Sequence, residues 1–491
     1  MSNEALENSL QEQPNFDYSI FPQYSGKAIK HNEILAALLR QVGKVDFASE
    51  ANPNNTDNFK LSRKHYVVLA IEKILQLATA NNWGLCQHNG FVYLFNGQYW
   101  AVVEDDQLKL FLGEAAEKMG VPYFDARFHE FQESLSKQFH SRAILPAPDA
   151  DSDKVLINLQ NGTFEITAKG ANKRDFAPLD FITYQLPFDY NPNAKAPLFE
   201  AYLNRVLPDV ERQNVLSEYM GYLFIKNGNG LKLEKALILY GTGANGKSVF
   251  FEIVNALLGN DNVSSYSLQS LTNENGYYRA KLANKLVNYA SEINGKLETS
   301  TFKQLVSGEP VEARLPYGEP FMLKHYAKLI FNCNELPKDI EQTQAFFRRF
   351  LIIPFDVTIP PDEQDKSLHS KIIENELSGI FNWVLRGLNR LLEQRGFSQC
   401  EAATKAVDKY QTESDSVKMF LKDCGFAPSN SDEIAFSVLY AEYRNYCFES
   451  GFRCCSKPTF SDRLSNAGYQ KTRRNNGVVV FAERQGANDP L

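Results

Sequence analysis

The sequence predicts an α/β fold organised around a phosphate-binding unit, and three observations support this prediction. An apolar run, Ala236 to Tyr240, precedes a glycine-rich loop, and an apolar segment with helical spacing, Val249 to Leu258, follows the loop. The loop satisfies the pattern G-x-x-x-x-G-K-[ST] in full. Farther along the chain, apolar strands alternate with helices, as is typical of α/β nucleotide-binding domains.

The loop contains the residue types that phosphate binding needs. Small residues let backbone N–H groups turn toward the anion, a lysine reaches the outer phosphates, and a hydroxyl binds Mg²⁺. A chance glycine turn before a helix is the alternative, but the complete pattern between a strand and a helix disfavours it. We therefore expect a nucleoside triphosphate here, with Mg²⁺ held by Ser248. The expected loop residues are Gly241, Thr242, Gly243, Ala244, Asn245, Gly246, Lys247, Ser248 and Val249.

Length and composition limit the class of protein. A chain of 491 residues exceeds what one hydrophobic core usually accommodates, so several domains are expected. The net charge of −7 excludes a protein that coats nucleic acid with its whole surface, although a local basic channel is compatible with it. The seven cysteines form no C-x-x-C pair and no zinc spacing with histidine, which predicts a reduced, cytoplasmic chain. We expect neither a signal peptide nor a membrane span, since no apolar run approaches ~18 residues.

The chain before the loop predicts an arm and then an α/β region. Residues 1–61 are rich in Asn, Gln, Glu and Ser, with one helix at Asn32 to Val42. We interpret most of this segment as a flexible arm, and a docking tail for another protein is the open alternative. Residues 62–197 combine helical patterns with two segments that contain Asn-Gly turns typical of hairpins, Phe91 to Trp100 and Val155 to Tyr190.

Polar residues follow two predicted strands beyond the loop. The first strand, Leu286 to Ala290, is followed by Ser291 and Glu292, and Glu292 is the candidate that binds Mg²⁺ or activates the attacking water. Two acids usually stand at such a position, and Ser291 occupies the place of the first. The second strand, Tyr326 to Cys333, leads to Asn334, the candidate sensor of the γ-phosphate or the water. The alternatives are an ordinary surface carboxylate and an Asx turn before a proline.

Two adjacent arginines precede the next predicted strand, Leu351 to Pro354. Arg348 and Arg349 stand between phenylalanines, an order that suits an arginine finger inserted into the nucleotide site of a neighbouring subunit. A packed, solvated pair of arginines is the alternative. The sequence does not decide which of the two would be the finger.

Together these motifs resemble the superfamily 3 helicases, and specifically the helicase half of phage, plasmid and poxvirus-type primase-helicases. The similar segments are GTGANGKS, the Glu-Ile after the first strand, KLIFNCNELP, FFRRFLIIPF, ELSGIFNWVLRGLNRLL and, upstream, LINLQNGTFEI and FDYNPNAKAPLFEAYLNRVLPD. The resemblance implies an AAA+-like motor over residues 198–400, a homo-hexameric ring, ATP between subunits and single-stranded DNA through the centre. Such proteins often begin with a primase domain, for which residues 1–61 are too short and polar, so a separate primase or other replication proteins would be partners.

The resemblance also places a DNA-tracking element between the two strands described above. In that interval, Val311 to Leu315 and Pro320 to Leu323 are expected to pair as a hairpin across a Pro-Tyr-Gly-Glu turn. Cations there would contact phosphates and Tyr317 would stack on a base, whereas an ordinary surface hairpin is the alternative. The candidate cations are Arg314, Lys324, His325 and Lys328.

Residues 412–485 predict a winged helix, and this region is also similar to the terminal domain of the same family. Three helical segments, Asp415 to Cys424, Ile434 to Ser450 and Lys457 to Ala467, precede a basic hairpin with Asn476-Gly477 at its turn. Small winged helices also serve as protein-docking domains, which is the alternative to DNA binding. The cations expected to face DNA are Arg463, Lys471, Arg473 and Arg474.

Two classes of function follow. The first is an ATP-dependent replicative DNA helicase of a virus or mobile genetic element, acting in the host cytoplasm. In it Lys247 and Ser248 hold the phosphates and Mg²⁺, Glu292 and Asn334 act on the water, and one of the paired arginines completes the neighbour's site. The second is an ATP-dependent, origin-binding initiator or assembly platform without processive unwinding. A nucleotide-gated switch with no DNA role is disfavoured, because it needs neither a pore hairpin nor a winged helix.

Overall fold

The computed structural model describes residues 29–54, 59–81, 83–88, 91–143, 154–167, 170–226, 231–291, 293, 298–316, 318–337, 340–475 and 477–484. The described residues divide into two compact units, one within residues 29–190 and the other formed by residues 191–226 together with those of 231–484. Among the helices described, none combines the length and the apolar character that crossing a membrane requires.

The first unit is built on a helical core. Its helices are α1 (His31–Gln41), α2 (Phe47–Ala51), α3 (Arg63–Ala80), α4 (Asp105–Met119), α5 (Tyr123–Arg127) and α6 (His129–Arg142). Ile34 and Leu38 of α1 and Phe47 of α2 are buried in this core together with side chains of α3 and α4. The helix expected at residues 32–42 is therefore confirmed, but residues 31–51 do not belong to a flexible arm, because the apolar stripe of α1 packs on the unit. Residues 1–28 of that predicted arm lie outside the described residues.

Two antiparallel sheets complete the first unit, each with its strands in sequential order. One contains β1 (Gly84–His88), β2 (Phe91–Phe95) and β3 (Trp100–Val103), and the other contains β4 (Val155–Leu159), β5 (Gly162–Thr167) and β6 (Gly170–Arg174). Both hairpins expected from Asn-Gly pairs are confirmed, since β2 pairs with β3 and β4 pairs with β5. Gly162 has a φ of 136°, a conformation that favours glycine at this turn.

The second unit contains a five-stranded sheet, whose strands are β7 (Ala236–Tyr240), β8 (Val263–Ser264), β9 (Val287–Ala290), β12 (Lys328–Cys333) and β13 (Phe350–Pro354). All neighbouring strands are parallel, and their order across the sheet is β13-β7-β12-β9-β8. A separate antiparallel hairpin joins β10 (Val311–Arg314) to β11 (Pro320–Leu323). The predicted α/β class is confirmed, and the carboxyl ends of the five parallel strands lie at one edge of the sheet.

Helices surround this sheet. They are α7 (Pro197–Val206), α8 (Val210–Tyr222), α9 (Lys247–Leu258), α10 (Leu268–Leu271), α11 (Tyr277–Ala280), α12 (Thr299–Ser307), α13 (Gln344–Phe347), α14 (Leu368–Gln394) and α15 (Glu401–Glu413). The long helix α14 packs closely against α8, because Gly387 lets its backbone approach Ser217; a Cβ on Gly387 would lie 2.3 Å from the Ser217 carbonyl carbon. Tyr410 of α15 is buried beside β13, so the domain that contains this sheet extends beyond the predicted boundary at residue 400.

The last part of the second unit has its own core. It contains α16 (Ser416–Asp423), β14 (Phe426–Ala435), α17 (Phe436–Glu449), α18 (Lys457–Asn466), β15 (Lys471–Arg474) and β16 (Gly477–Arg484). The strands form an antiparallel sheet in the order β14-β16-β15, and the three helices pack on it through residues such as Phe420, Tyr443 and Phe460. The three predicted helices and the hairpin are confirmed, whereas β14 was not predicted.

Candidate functional site

The phosphate loop lies where the sequence predicts it, between the end of β7 and the start of α9. Gly246, with a φ of 87°, is the residue that precedes the helix, and Gly243 has a φ of 116°. These left-handed conformations turn the backbone sharply at little cost only when the residue is glycine. The N-terminus of α9, where backbone N–H groups lack partners within the helix, therefore faces the loop and favours an anion.

Lys247 is the buried cation of this loop. Its Nζ donates to the carbonyl oxygen of Gly241 at 2.6 Å and to Oδ1 of Asn245 at 3.0 Å. Burial lowers the pKa of Lys247. An anion bound beside it would therefore stabilise the charged ammonium group. Ser248 and Thr242 are exposed at the mouth of the loop, which leaves the Ser248 hydroxyl accessible to a metal ion.

Three residues outside the motif form hydrogen bonds with the loop: Tyr202, Phe355 and Ile359. The hydroxyl of Tyr202, on α7, donates to the carbonyl oxygen of Gly246 at 2.8 Å. Asn245 Nδ2 donates to the carbonyl oxygen of Phe355 at 2.9 Å, and the backbone N–H of Ile359 donates to Ala244 at 2.8 Å. These contacts could not be read from the sequence, because each joins the loop to a residue that is distant in the chain.

A buried carboxylate places α7 against the loop. Glu376 of α14 accepts hydrogen bonds from the backbone N–H groups of Leu198 and Phe199, at 2.9 and 2.8 Å, and so caps the first turn of α7. Gly379, one turn further along α14, permits close contact with the backbone of Lys195. The segment ELSGIFNWVLRGLNRLL thus acts through packing, since it fixes the helix that carries Tyr202.

The strands β9 and β12 end beside the loop. Cys333 pairs in register with Tyr240, and its carbonyl oxygen accepts from the N–H of Gly241 at 3.0 Å, so Asn334 follows directly at the loop. Asn334 is exposed, whereas Asn332 is buried and accepts a hydrogen bond from Tyr289 at 2.9 Å. The exposed amide is therefore the one available to a ligand. Glu292 lies outside the described residues, and the strand that precedes it ends on this same edge of the sheet.

The two arginines have different environments. Arg349 is buried, and its Nη2 donates to the Ser307 hydroxyl at 3.0 Å. The side chain of Arg348 is 60% exposed, with Nη2 3.2 Å from Glu234. Both precede β13, whose first residue pairs with Ala236 at the start of β7. They therefore lie at the amino edge of the sheet, about 16 Å along the strands from the phosphate loop of the same chain.

The predicted hairpin forms, with Val311 opposite Leu323 and Arg314 opposite Pro320. Arg314 is exposed, and its Nε donates to the carbonyl oxygen of Gly318 at 2.8 Å. Lys324 and His325 are also exposed, directly after the second strand. Tyr317, the predicted stacking residue, lies outside the described residues. The hairpin thus presents cations at its tip and at its base.

Two other predicted DNA-contacting cations serve the fold instead. Lys328 belongs to β12, and its Nζ lies 4.4 Å from the ring centroid of Tyr222. Arg463 pairs with the buried carboxylate of Asp415 at 3.2 Å. For Lys328, the sequence could not reveal that the residue lies under an aromatic ring more than one hundred positions away in the chain.

We expect Lys328→Met to stabilise the protein at pH 7 by about 1–3 kcal/mol, because burial lowers the pKa of Lys328 to about 8. Between pH 8 and the ordinary lysine value of 10.5, the unfolded chain binds a proton that the folded chain does not, so wild-type stability rises with pH relative to the variant. Urea midpoints of both proteins at pH 7 and pH ~9.5 measure this. An advantage of the variant that does not shrink with rising pH would contradict the assignment.

The basic hairpin β15–β16 contains three predicted DNA-binding cations in three situations. Lys471 Nζ donates to the carbonyl oxygen of Ser461 on α18 at 2.8 Å. Arg474 forms an exposed ion pair with Glu433 of β14. Arg473 is exposed, and within the described residues it has no hydrogen bond or ion pair. Arg473 is therefore the most available of the three to a phosphate.

The chain is similar to two protein families and to a viral protein. Residues 72–208 match a family described as "D5 N terminal like", and residues 239–349 match a family of unknown function, DUF5906. A protein of Acanthamoeba polyphaga mimivirus described as "Putative helicase" is 27% identical over 214 residues, which are 42% of this chain and 22% of the relative. The chain thus spans about a fifth of the length of that relative.

Two solved structures of the NrS-1 C-terminal region also resemble this chain. The apo A form has a TM-score of 0.46 and 12% identity, and covers 86% of this chain and 100% of its own. A second apo structure, of residues 305–718, has a TM-score of 0.43 and 11% identity, with coverage of 86% and 99%.

Proposed function

This chain belongs to the phage and viral primase-helicase family, and we propose from that premise that it is an ATP-dependent replicative DNA helicase. In this proposal it is a superfamily 3, AAA+-like motor that moves along single-stranded DNA as a homo-hexameric ring. ATP and Mg²⁺ bind at the phosphate loop of each subunit. A separate primase or other replication proteins would act with it.

The observation that carries the proposal is that the phosphate loop and an exposed arginine lie at opposite edges of the sheet. The phosphate loop, with Lys247 and Asn334, lies at the carboxyl edge, whereas Arg348 lies exposed at the amino edge. Such an arginine reaches a γ-phosphate only in another subunit. A shared site of this kind supports assembly into a ring, because every subunit then gives an arginine to one neighbour and receives one from the other.

Each residue of the proposed site has a chemical task. Lys247 and the backbone of the loop neutralise the phosphates, and Ser248 binds the Mg²⁺ ion. Glu292 orients and deprotonates the attacking water, and Asn334 holds that water or the γ-phosphate. Arg348 of the adjacent subunit stabilises the charge that develops as the phosphoryl group transfers.

Two surfaces are proposed to contact DNA. The hairpin β10–β11 contacts the single strand through Arg314, Lys324 and His325, with Tyr317 stacking on a base. The helices and antiparallel sheet of residues 416–484 have the element order of a winged helix, which supports duplex or fork binding through Arg473. A hairpin and a basic wing in one chain favour a motor on DNA over a nucleotide switch.

Replacement of Lys471, Arg473 and Arg474 together by alanine is expected to weaken duplex DNA binding. The slope of log K against log salt should decrease by about 0.9 for each phosphate contact that is lost, and Arg473→Ala should account for most of the change. Fluorescence anisotropy across a salt series measures the slope. Arg484→Ala, which removes an exposed cation of β16 paired with Glu442 of α17, is the matched control. An unchanged slope in the triple variant would make this hairpin a protein-docking surface.

ATP hydrolysis by the purified protein, with and without single-stranded DNA, tests the proposed function. We expect hydrolysis that depends on Mg²⁺ and increases when DNA is added, since DNA in the channel orders the subunit interfaces. Hydrolysis that is indifferent to DNA would point to the switch instead of the helicase.

A further inference from the structure

The root of the hairpin is bonded to the arginine pair. Helix α12 ends at Ser307, directly before β10, and the buried Ser307 hydroxyl accepts from Nε and Nη2 of Arg349 at 3.3 and 3.0 Å. Arg349 adjoins Arg348 in the chain. The helix that leads into the DNA hairpin is therefore attached to the segment that carries the proposed finger.

Glu234 makes a second connection between the same two elements. Its Oε2 lies 3.2 Å from Nη2 of Arg348 and 3.7 Å from Nη2 of Arg349, and its Oε1 lies 3.1 Å from Lys232. The ammonium group of Lys232 is in turn 3.6 Å from the carboxylate of Glu309, which stands just before β10. A row of alternating charges thus runs from Arg348 to the base of the hairpin.

The two ends of the hairpin are also fixed to each other. The hydroxyl of Tyr326, shortly after β11, donates to the carbonyl oxygen of Glu309 at 2.7 Å and lies 3.1 Å from that of Gln304 in α12. Hydrogen bonds thus hold the two ends of the hairpin to each other and to α12. A shift of α12 therefore acts on both strands of the hairpin.

We propose that the contact between Ser307 and Arg349 transmits the nucleotide state of a subunit interface to the DNA hairpin. This inference rests on the proposed function, in which Arg348 reaches the γ-phosphate of a neighbour. As Arg348 leaves Glu234 for that phosphate, the segment that holds both arginines moves, and Arg349 carries α12 and the hairpin with it. Ser307 is a positioning residue, because it touches neither nucleotide nor DNA.

The energetics favour a link that holds in both states. The hydrogen bond from a buried guanidinium to Ser307 is charge-assisted, and breaking it would leave a buried cation poorly solvated. Glu234 remains charged after Arg348 departs. Partial burial raises the pKa of Glu234, but the cations Lys232, Arg349 and Arg348 together lower it by more, and Lys232 and Arg349 stay in place. The contact that changes is therefore that between Glu234 and Arg348, while the bond to the hairpin root persists.

Ser307→Ala tests the link through ATP hydrolysis with and without single-stranded DNA. We expect hydrolysis without DNA to stay within about twofold of wild type, and the stimulation by DNA to fall at least about fivefold, the lower end of typical coupling between sites. Ser307→Thr, which keeps the hydroxyl, should retain the stimulation. Ser300→Ala, on the same helix, is the matched control.

A second variant guards against a folding defect in the first. Lys232→Ala removes a side chain that is 57% exposed and breaks the connection between Glu234 and Glu309, so it too should lower the DNA stimulation without loss of stability. Full stimulation in both variants would overturn the link and leave the proposed function standing. A wild-type protein whose hydrolysis ignores DNA would overturn the proposed function and the link together.

Discussion

Lys247→Ala is expected to hydrolyse ATP at least about 10²-fold more slowly than the wild-type protein. The reason is that Lys247 is the buried cation of the phosphate loop, and removal of one group that stabilises transition-state charge typically costs this much or more. The fold should survive, because the partners that Lys247 leaves behind, Gly241 and Asn245, belong to the same loop and can bind water. Steady-state phosphate release and far-UV circular dichroism measure the two properties.

Lys328→Met is the matched control for this result. It removes a lysine of the central sheet, at the start of β12 and at the edge opposite the phosphate loop. We expect wild-type hydrolysis from it. Near-normal hydrolysis by a folded Lys247→Ala protein would show that the loop is not the site of turnover.

Arg348→Ala should bind ATP nearly normally and hydrolyse it about 10³–10⁵-fold more slowly, the effect of removing an arginine finger. Its side chain is 60% exposed and pairs only with Glu234 among the described residues, so truncation should leave the subunit stable.

Arg349→Ala, in contrast, should affect the stability of the subunit. Because Arg349 is buried against Ser307, its loss should lower the unfolding midpoint as well as the rate. Nucleotide-binding titrations and thermal unfolding separate the two variants.

Mixing the Arg348→Ala and Lys247→Ala proteins tests whether the site is shared. A mixed interface pairs an intact phosphate loop with an intact arginine, so some turnover should return although each variant alone is inactive. A protein that stays monomeric, hydrolyses ATP independently of its concentration and shows no rescue would contradict both the shared site and the hexamer.

Features set by short stretches of sequence were predicted well. The phosphate loop, the hairpin of residues 311–323 and the hairpin at Asn161-Gly162 all depend on local periodicity, glycine conformation and turn chemistry. The residue following β12, Asn334, was located by counting from a strand end, and the structure leaves its amide exposed beside the loop. Such features need no knowledge of distant contacts.

Features set by distant contacts could not be read from the sequence. Arg348 and Arg349 are adjacent and chemically identical, but their environments differ because of distant residues. Arg349 bonds to Ser307, 42 residues away, and Arg348 bonds to Glu234, 114 residues away. In the same way, the pattern of residues 32–42 predicted a helix, but it did not show that Ile34 would pack into the core of the first unit. The order of residues specifies these contacts only through the whole fold.

Strand displacement on forked DNA is the measurement that tests the proposed helicase most directly. With ATP and Mg²⁺ present, we expect the wild-type protein to release the displaced strand, and we expect no release without ATP or with Lys247→Ala. Binding of the fork and hydrolysis of ATP without any displacement, under conditions in which rings assemble, would contradict the helicase and favour an origin-binding initiator that remodels DNA without processive unwinding.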